Sequence, residues 1–384
     1  MTDNASQTRE ISVEGTFEER FTPVRDALAA NLASGADCGA SVAVYLDGEP
    51  VVDIWGGFVD AECSQPWQAD TIVNVWSTTK TMTALCALIL ADRGELDLHA
   101  PVARYWPEFA ANGKEAIEVR HLLSHTSGLS GWQEPLVLDD LLDWERCTSL
   151  LAAQAPWWEP GTASGYHAIT QGYLVGEVVR RIAGQTLGAF FAEQVAGPLG
   201  ADFHIGLDAQ HDDRVALVIP PPPLDVDVDP ESIAFRTLAN PMLDASYSWT
   251  EGWRRAESPA ANGHGNARSV AAIQSVVACG GEARGVRLLS PAGVDALFEE
   301  QSDGPDLVLG AHLRFGMGYG LASEVMPISP RSCFWGGWGG SLVINDLDAR
   351  LTVSYMMNRM GAGTLGDERG ASIVAAAYGA LFGG

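Results

Sequence analysis

Between residues 40 and 57 the chain reads ASVAVYLDGEPVVDIWGG, with Val- and Ile-rich stretches on either side of Asp47-Gly48. Asp-Gly is a strong signal for a tight hairpin turn, so two paired strands are expected here. From Ser77 the apolar spacing becomes helical, and VNVWSTTKTMTALCALILADRG (residues 73–94) predicts a helix closed by Gly94. Helical periodicity returns in LLDWERCTSLLAAQ (141–154), in ITQGYLVGEVVRRIAG (169–184, ending on Gly184) and in ARSVAAIQSVVACGG (267–281). GASIVAAAYGALFGG reads as a closing helix at the C-terminal end.

Past residue 310 the texture becomes Gly-punctuated strands, in FGMGYGLAS, SCFWGG, GSLVIND and RLTVSYMMN, with NDLDAR as a tight turn between the last two. Strands near both ends with helices between them predict an α+β fold. One central antiparallel sheet is assembled from N- and C-terminal segments, flanked by helices, with a mostly helical lobe inserted. The expected division is residues 1–94 with 282–384 for the sheet domain and 95–281 for the helical lobe. IPPPPLDVDVDP (219–230) carries four consecutive prolines and reads as an extended surface loop.

Composition narrows the classes of function. The chain has 384 residues and a formal net charge of −26, from 49 acidic and 23 basic residues. That balance disfavours nucleic acid and anionic membrane surfaces as partners. The first residues, MTDNASQTREIS, lack the apolar stretch of a secretory signal, and no apolar run reaches the ~20 residues of a membrane span. The six cysteines show no CxxC spacing, so a cytoplasmic protein with reduced thiols is expected. His121 and His125 are four apart, but no HExxH glutamate accompanies them, and neither a metal nor an organic cofactor is expected.

Candidate chemistry centres on Ser77 and Lys80, which a three-residue spacing places on one face of the first helical turn. Taken alone, this pattern also fits a capping serine followed by an ordinary surface lysine. An alcohol attacks only when its proton is removed. A lysine does that only when burial or a neighbouring cation lowers its pKa from about 10.4. No acid follows Lys80 until Asp92, so no nearby carboxylate in sequence would hold it charged. Tyr166 sits in a Gly-rich loop just before a helix, where its hydroxyl can relay a proton. Trp335-Gly336-Gly337-Trp338-Gly339-Gly340 lies at a strand edge that can offer a backbone N–H to an oxyanion.

STTK, EVRHLLSHTSGL, PGTASGYHAITQGYLVGEVVRRIAG, SPAANGHGNARSVAAI and WGGWGGSLVIND, in this order, resemble the serine β-lactamase and penicillin-binding-protein superfamily. Within it they look most like the family VIII carboxylesterases, the class C β-lactamase-like esterases, over residues 20 to 382. The resemblance implies a β-lactamase/transpeptidase-like fold, with Ser77 as acylated nucleophile and Lys80 and Tyr166 as proton-transfer groups. The backbone N–H groups of Ser77 and Trp338 would form the oxyanion hole, and Trp335, Gly336 and Gly337 would contact substrate. The implied activity is hydrolysis of short-chain carboxylic esters, with a small-molecule ester as partner.

Two departures from the superfamily pattern bear on substrate. His167-Ala168 follows Tyr166 where class C β-lactamases carry Tyr-x-Asn, and neutral Trp335 stands where a lysine or histidine is common. Both weigh against anionic β-lactams. An acyltransferase using the same acyl-enzyme, or a β-lactamase or D-alanyl peptidase, remains as an alternative. Trp132, Trp157, Trp158, Trp249 and Trp253 fall in connecting loops of the helical segment, and some are candidates for an aromatic pocket wall.

Overall fold

Asp47 and Gly48 both adopt positive φ, 52° and 82°, the backbone that a tight two-residue hairpin requires. The computed structural model describes residues 12–222, 229–324, 326 and 328–383. The strands of the main sheet are β1 (Val13–Phe17), β2 (Gly39–Leu46), β3 (Glu49–Gly57), β4 (Ser302–Pro305), β5 (His312–Phe315), β6 (Gly320–Leu321), β7 (Ser332–Gly336), β8 (Leu342–Asp346) and β9 (Leu351–Met357). Their order across the sheet is β1-β3-β2-β9-β8-β7-β6-β5-β4, with every neighbouring pair antiparallel. N-terminal and C-terminal segments thus meet at the β2–β9 pairing, as the strand pattern predicts. The sequence gives only a weak alternation at β1, which is an edge strand with most positions exposed.

The principal helices are α1 (Thr22–Ala33), α2 (Thr79–Asp92), α3 (Trp144–Ala153), α4 (Thr170–Ala183), α5 (Ala267–Ala278) and α6 (Glu368–Phe382). Gly184 closes α4 in the left-handed conformation at φ 71°. Two-residue periodicity sorts β2 between two cores. Val42 and Val44 pack with α1 and α6 through Phe21, Leu28 and Ile373, whereas Ala43 and Tyr45 face the core shared by α2 and α5. Because both faces are covered, β2 reads as a nearly unbroken apolar run.

Helix α5 lies directly against β2, β8 and β9, so the segment 95–281 ends on a helix packed onto the sheet. A small second sheet joins Ile72–Asn74, Phe203–His204, Val215–Ala216 and His264–Gly265, and fixes the chain just ahead of Ser77. Of the proline-rich segment, Ile219 pairs with Arg359, and residues 223–228 lie outside the described residues. Among the described residues, no helix is long and apolar enough to cross a membrane.

One buried ionic cluster joins the two ends of the chain. Arg369, at the start of α6, donates to Asp37 Oδ1 (2.9 Å), to Arg359 O (2.7 Å) and to Gly339 O (2.6 Å). Tyr355 of β9 donates to the same Asp37 oxygen at 2.6 Å. Removing one partner of a buried pair leaves the other charge desolvated, at a cost of about 3–5 kcal/mol. Arg369→Leu is therefore expected to lower stability by that amount, read as a reduced urea midpoint. An unchanged midpoint would mean that Asp37 is adequately solvated without the arginine.

Candidate active site

Ser77 lies in the single 3₁₀ turn Trp76–Thr78 that links the strand Ile72–Asn74 to α2. Trp76 has φ 50°, an uncommon conformation for an aromatic residue, and the surroundings hold it there. Thr79 Oγ1 donates to Trp76 O (2.6 Å) and accepts from Gly263 N (2.9 Å), while Val75 N donates to Gly263 O (2.9 Å). The N-cap of α2 is Thr78, with no side-chain capping bond, so Ser77 is not spent as a helix cap.

The serine hydroxyl instead meets the two expected partners. Lys80 Nζ lies 3.0 Å from Ser77 Oγ, and Tyr166 donates its hydroxyl to Ser77 Oγ at 2.6 Å. Lys80 is 1 % exposed, and its other hydrogen-bond partners are the carbonyls of Ala168 (2.7 Å) and Ala260 (3.0 Å). Burial without a counter-ion drives the lysine pKa well below its ordinary value. Burial acts oppositely on Tyr166, raising its pKa so that the phenol holds its proton.

The Gly-rich segment after β7 packs against the nucleophile turn. Ser341 Oγ donates to Val75 O (2.8 Å) and shares a hydrogen bond with Thr78 Oγ1 (2.9 Å). A Cβ on Gly337 would stand 2.4 Å from Val75 O and 3.1 Å from Ser77 N, so only glycine permits this approach. Within the loop, Gly337 N–H donates to Ser341 O (2.8 Å), Gly339 N–H to Gly363 O (2.8 Å) and Gly340 N–H to Gly337 O (3.0 Å). Between them the Trp338 N–H has no backbone partner among the described residues.

A cavity of about 220 Å³ opens over Ser77 and Tyr166, walled chiefly by Trp76, Ile169, Leu238, Leu243, Leu309 and Trp338. No described residue lining it carries a charge. The expected substrate contacts need correction. Trp335 is buried behind Tyr166, with ring centroids 5.4 Å apart, and Gly336 packs on Leu365; neither they nor Gly337 line the cavity. Strand alternation turns Trp335 into the core, while Trp338, beyond the end of β7, reaches the cavity.

The tryptophans from the connecting loops do not reach the cavity wall either. Trp132 and Trp253 are buried, and Trp253 supports Trp76 at a centroid distance of 6.0 Å. Trp76 had the clearest overlooked signal, being an aromatic residue directly beside the candidate nucleophile. Leu238, Leu243 and Leu309 come from loops and a short helix distant in sequence, and no local pattern marks them.

The histidines serve as internal supports. His167, directly after Tyr166, shares a hydrogen bond with Ser127 Oγ (2.7 Å) through Nε2 and with Gly165 O (2.6 Å) through Nδ1. Its burial lowers its pKa to about 3. His125 accepts the His167 N–H at 3.1 Å, and His121 accepts the Glu118 N–H at 3.2 Å.

Comparison with known proteins agrees with this fold. The beta-lactamase family profile matches residues 24–378. A crystal structure of a family VIII carboxylesterase superposes with a TM-score of 0.91 at 43 % identity, covering 96 % of this chain and 100 % of the other. A penicillin-binding protein homologue from Caulobacter crescentus gives a TM-score of 0.90 at 36 % identity, covering 96 % and 100 %. The esterase/beta-lactamase LipL of Mycobacterium tuberculosis is 36 % identical over 363 residues, 91 % of this chain and 83 % of LipL. The chain belongs to the beta-lactamase family of serine hydrolases.

Proposed function

We propose that the protein is a carboxylesterase that hydrolyses short-chain esters through an acyl-enzyme on Ser77. The observation that carries this reading is Ser77 Oγ held between the Lys80 amine and the Tyr166 hydroxyl, at 3.0 and 2.6 Å, on the floor of an uncharged cavity. A neutral amine has two N–H groups, and the carbonyls of Ala168 and Ala260 match them. Its lone pair is then left facing Ser77 Oγ.

In acylation Lys80 takes the Ser77 proton as Oγ bonds to the ester carbonyl carbon. The carbonyl oxygen becomes an oxyanion, received by the N–H groups of Ser77 and Trp338. Collapse breaks the bond to the alcohol, which leaves with the Tyr166 proton. The Lys80 ammonium, 4.7 Å from the Tyr166 ring centroid, returns a proton to the phenolate. Water attacks the acyl-enzyme with its proton passing to Lys80, which hands it to Ser77 Oγ as the acyl bond breaks and the acid leaves.

The cavity supports the choice of substrate. Its volume lies below the ~300–1,000 Å³ of sites that enclose drug-sized ligands. Its walls offer no cation to a β-lactam carboxylate, which favours neutral esters over β-lactams. The same apolar walls favour acyl transfer to a bound alcohol as the second reading, and product analysis with added alcohol separates the two.

Wild-type protein is expected to hydrolyse p-nitrophenyl acetate and butyrate faster than the octanoate, and Ser77→Ala to lose on the order of 10⁶-fold in kcat. Wild-type rates in the variant would remove Ser77 from the mechanism. The depressed Lys80 pKa gives a sign for pH dependence: kcat/KM falls as pH drops through that pKa and Lys80 protonates. Lys80→Arg, permanently charged, is expected to be inactive at every pH. A rise in kcat/KM only near the ordinary lysine value of about 10.4 would mean that burial leaves the Lys80 pKa undepressed. Gly337→Ala is expected to lose about 100-fold in kcat by pushing the loop off Ser77, and unchanged turnover would detach this loop from the chemistry.

A further inference from the structure

Tyr166 stands in a loop whose own chain gives it little regular support, yet its hydroxyl must stay on Ser77 Oγ. Its neighbours Gly165 and His167 donate to His125, and the bond to its own N–H comes from the far edge of the main sheet. Residues 306–311 form the turn between β4 and β5, and its first residue, Asp306, is 2 % exposed. Asp306 Oδ1 accepts three backbone N–H groups: Tyr166 at 3.0 Å, Val308 at 2.9 Å and Leu309 at 2.9 Å. Asp306 Oδ2 is buried without a hydrogen-bond partner.

A buried carboxylate with one oxygen left unsatisfied is costly, and such groups are rare in native structures. Here the orphaned oxygen accompanies one that serves two segments far apart in sequence. The contact is local on one side, closing the Asp306–Leu309 turn, and long-range on the other, reaching the Tyr166 backbone. Leu307 N–H adds a second tie across the same gap, to Ser164 O at 2.9 Å. Leu309, held by the same oxygen, is a wall of the catalytic cavity. One oxygen therefore contacts both the Tyr166 backbone and that wall.

We propose that Asp306 is a positioning residue for Tyr166, fixing the backbone of the tyrosine so that its hydroxyl stays within hydrogen-bond distance of Ser77 Oγ. The proposal rests on the reading of Tyr166 as the group that protonates the leaving alcohol. It predicts a defect in turnover rather than in substrate binding, because Asp306 does not line the cavity.

The test uses three variants of the full chain, measured for kcat and KM on p-nitrophenyl butyrate and for melting temperature. Asp306→Asn keeps Oδ1 as acceptor and is expected to hold kcat within about threefold. Asp306→Ala removes it and is expected to lose about 100-fold in kcat with KM within about threefold, the scale of a catalytic group displaced by 1 Å. Asp306→Ser places a short acceptor able to cap the local turn but not to reach Tyr166. It is expected to fold, and to be as slow as the alanine variant.

Near-normal kcat in Asp306→Ser or in folded Asp306→Ala overturns the proposal, because turn closure or nothing at all would then be the role. Asn as slow as Ala also overturns it, since charge rather than placement would be decisive. A crystal structure of Asp306→Ser gives a readout independent of turnover. Tyr166 displaced from Ser77 Oγ supports the proposal, and a retained 2.6 Å contact overturns it. Wild-type protein inert on all esters would defeat the proposed function, while this structural comparison would still decide the role of Asp306.

Discussion

The site depends on a lysine amine buried without a counter-ion. Water would stabilise Lys80 as an ammonium, and a neighbouring carboxylate would do the same; the fold supplies neither. It offers two backbone carbonyls, enough for the N–H groups of a neutral amine and directed so that the remaining lone pair meets Ser77 Oγ. Those carbonyls belong to Ala168 and Ala260, 88 and 180 positions beyond the lysine in the chain. The amine thus meets this environment only in the assembled fold, because no shorter piece of the chain dries it and gives it acceptors.

The rest of the architecture serves that arrangement. The small sheet holds the approach to Ser77, and the 258–266 segment locks it through Gly263 and Thr79. On the other side, β7 and β8 bring the Gly337–Ser341 loop against Val75 and Thr78. The Arg369 cluster anchors the Gly339 carbonyl in that loop and ties it to Asp37 and Tyr355. Ionic burial is an expensive way to stabilise a fold, and here its donors also reach a loop carbonyl. That loop carries the Trp338 N–H.

The parts of this plan that show in the sequence are those with local causes. Asp47-Gly48 marks the hairpin because the turn itself demands positive φ, and α2, α4 and α5 show in helical periodicity. Ser77, Lys80 and Tyr166 are found through short motifs that place them on a helix face and in a loop. Trp335 sits in the core and not at the cavity, which its motif does not show, because a motif gives position along a strand but not which face turns inward. Leu238, Leu309 and Asp306 were invisible for a related reason. Each acts across a long sequence separation, through a contact that neither periodicity nor turn chemistry encodes.

This division also separates what governs reaction from what governs substrate. Ser77 and Lys80, the proposed nucleophile and base, sit at the head of a long buried helix, and the Gly-rich loop is pinned to a central strand, so the proposed chemistry rests on rigid elements. The cavity walls come mostly from connecting segments: Leu238 and Leu243 from one, Leu309 from the β4–β5 turn, Ala362 and Thr364 from the approach to α6. Loops tolerate substitution better than buried helices do, so acyl-group preference can change while Ser77, Lys80 and Tyr166 stay in place. Asp306 is where the two meet. Its turn supplies a wall residue and holds the tyrosine, so a loop that shapes the cavity also supports a residue of the proposed chemistry.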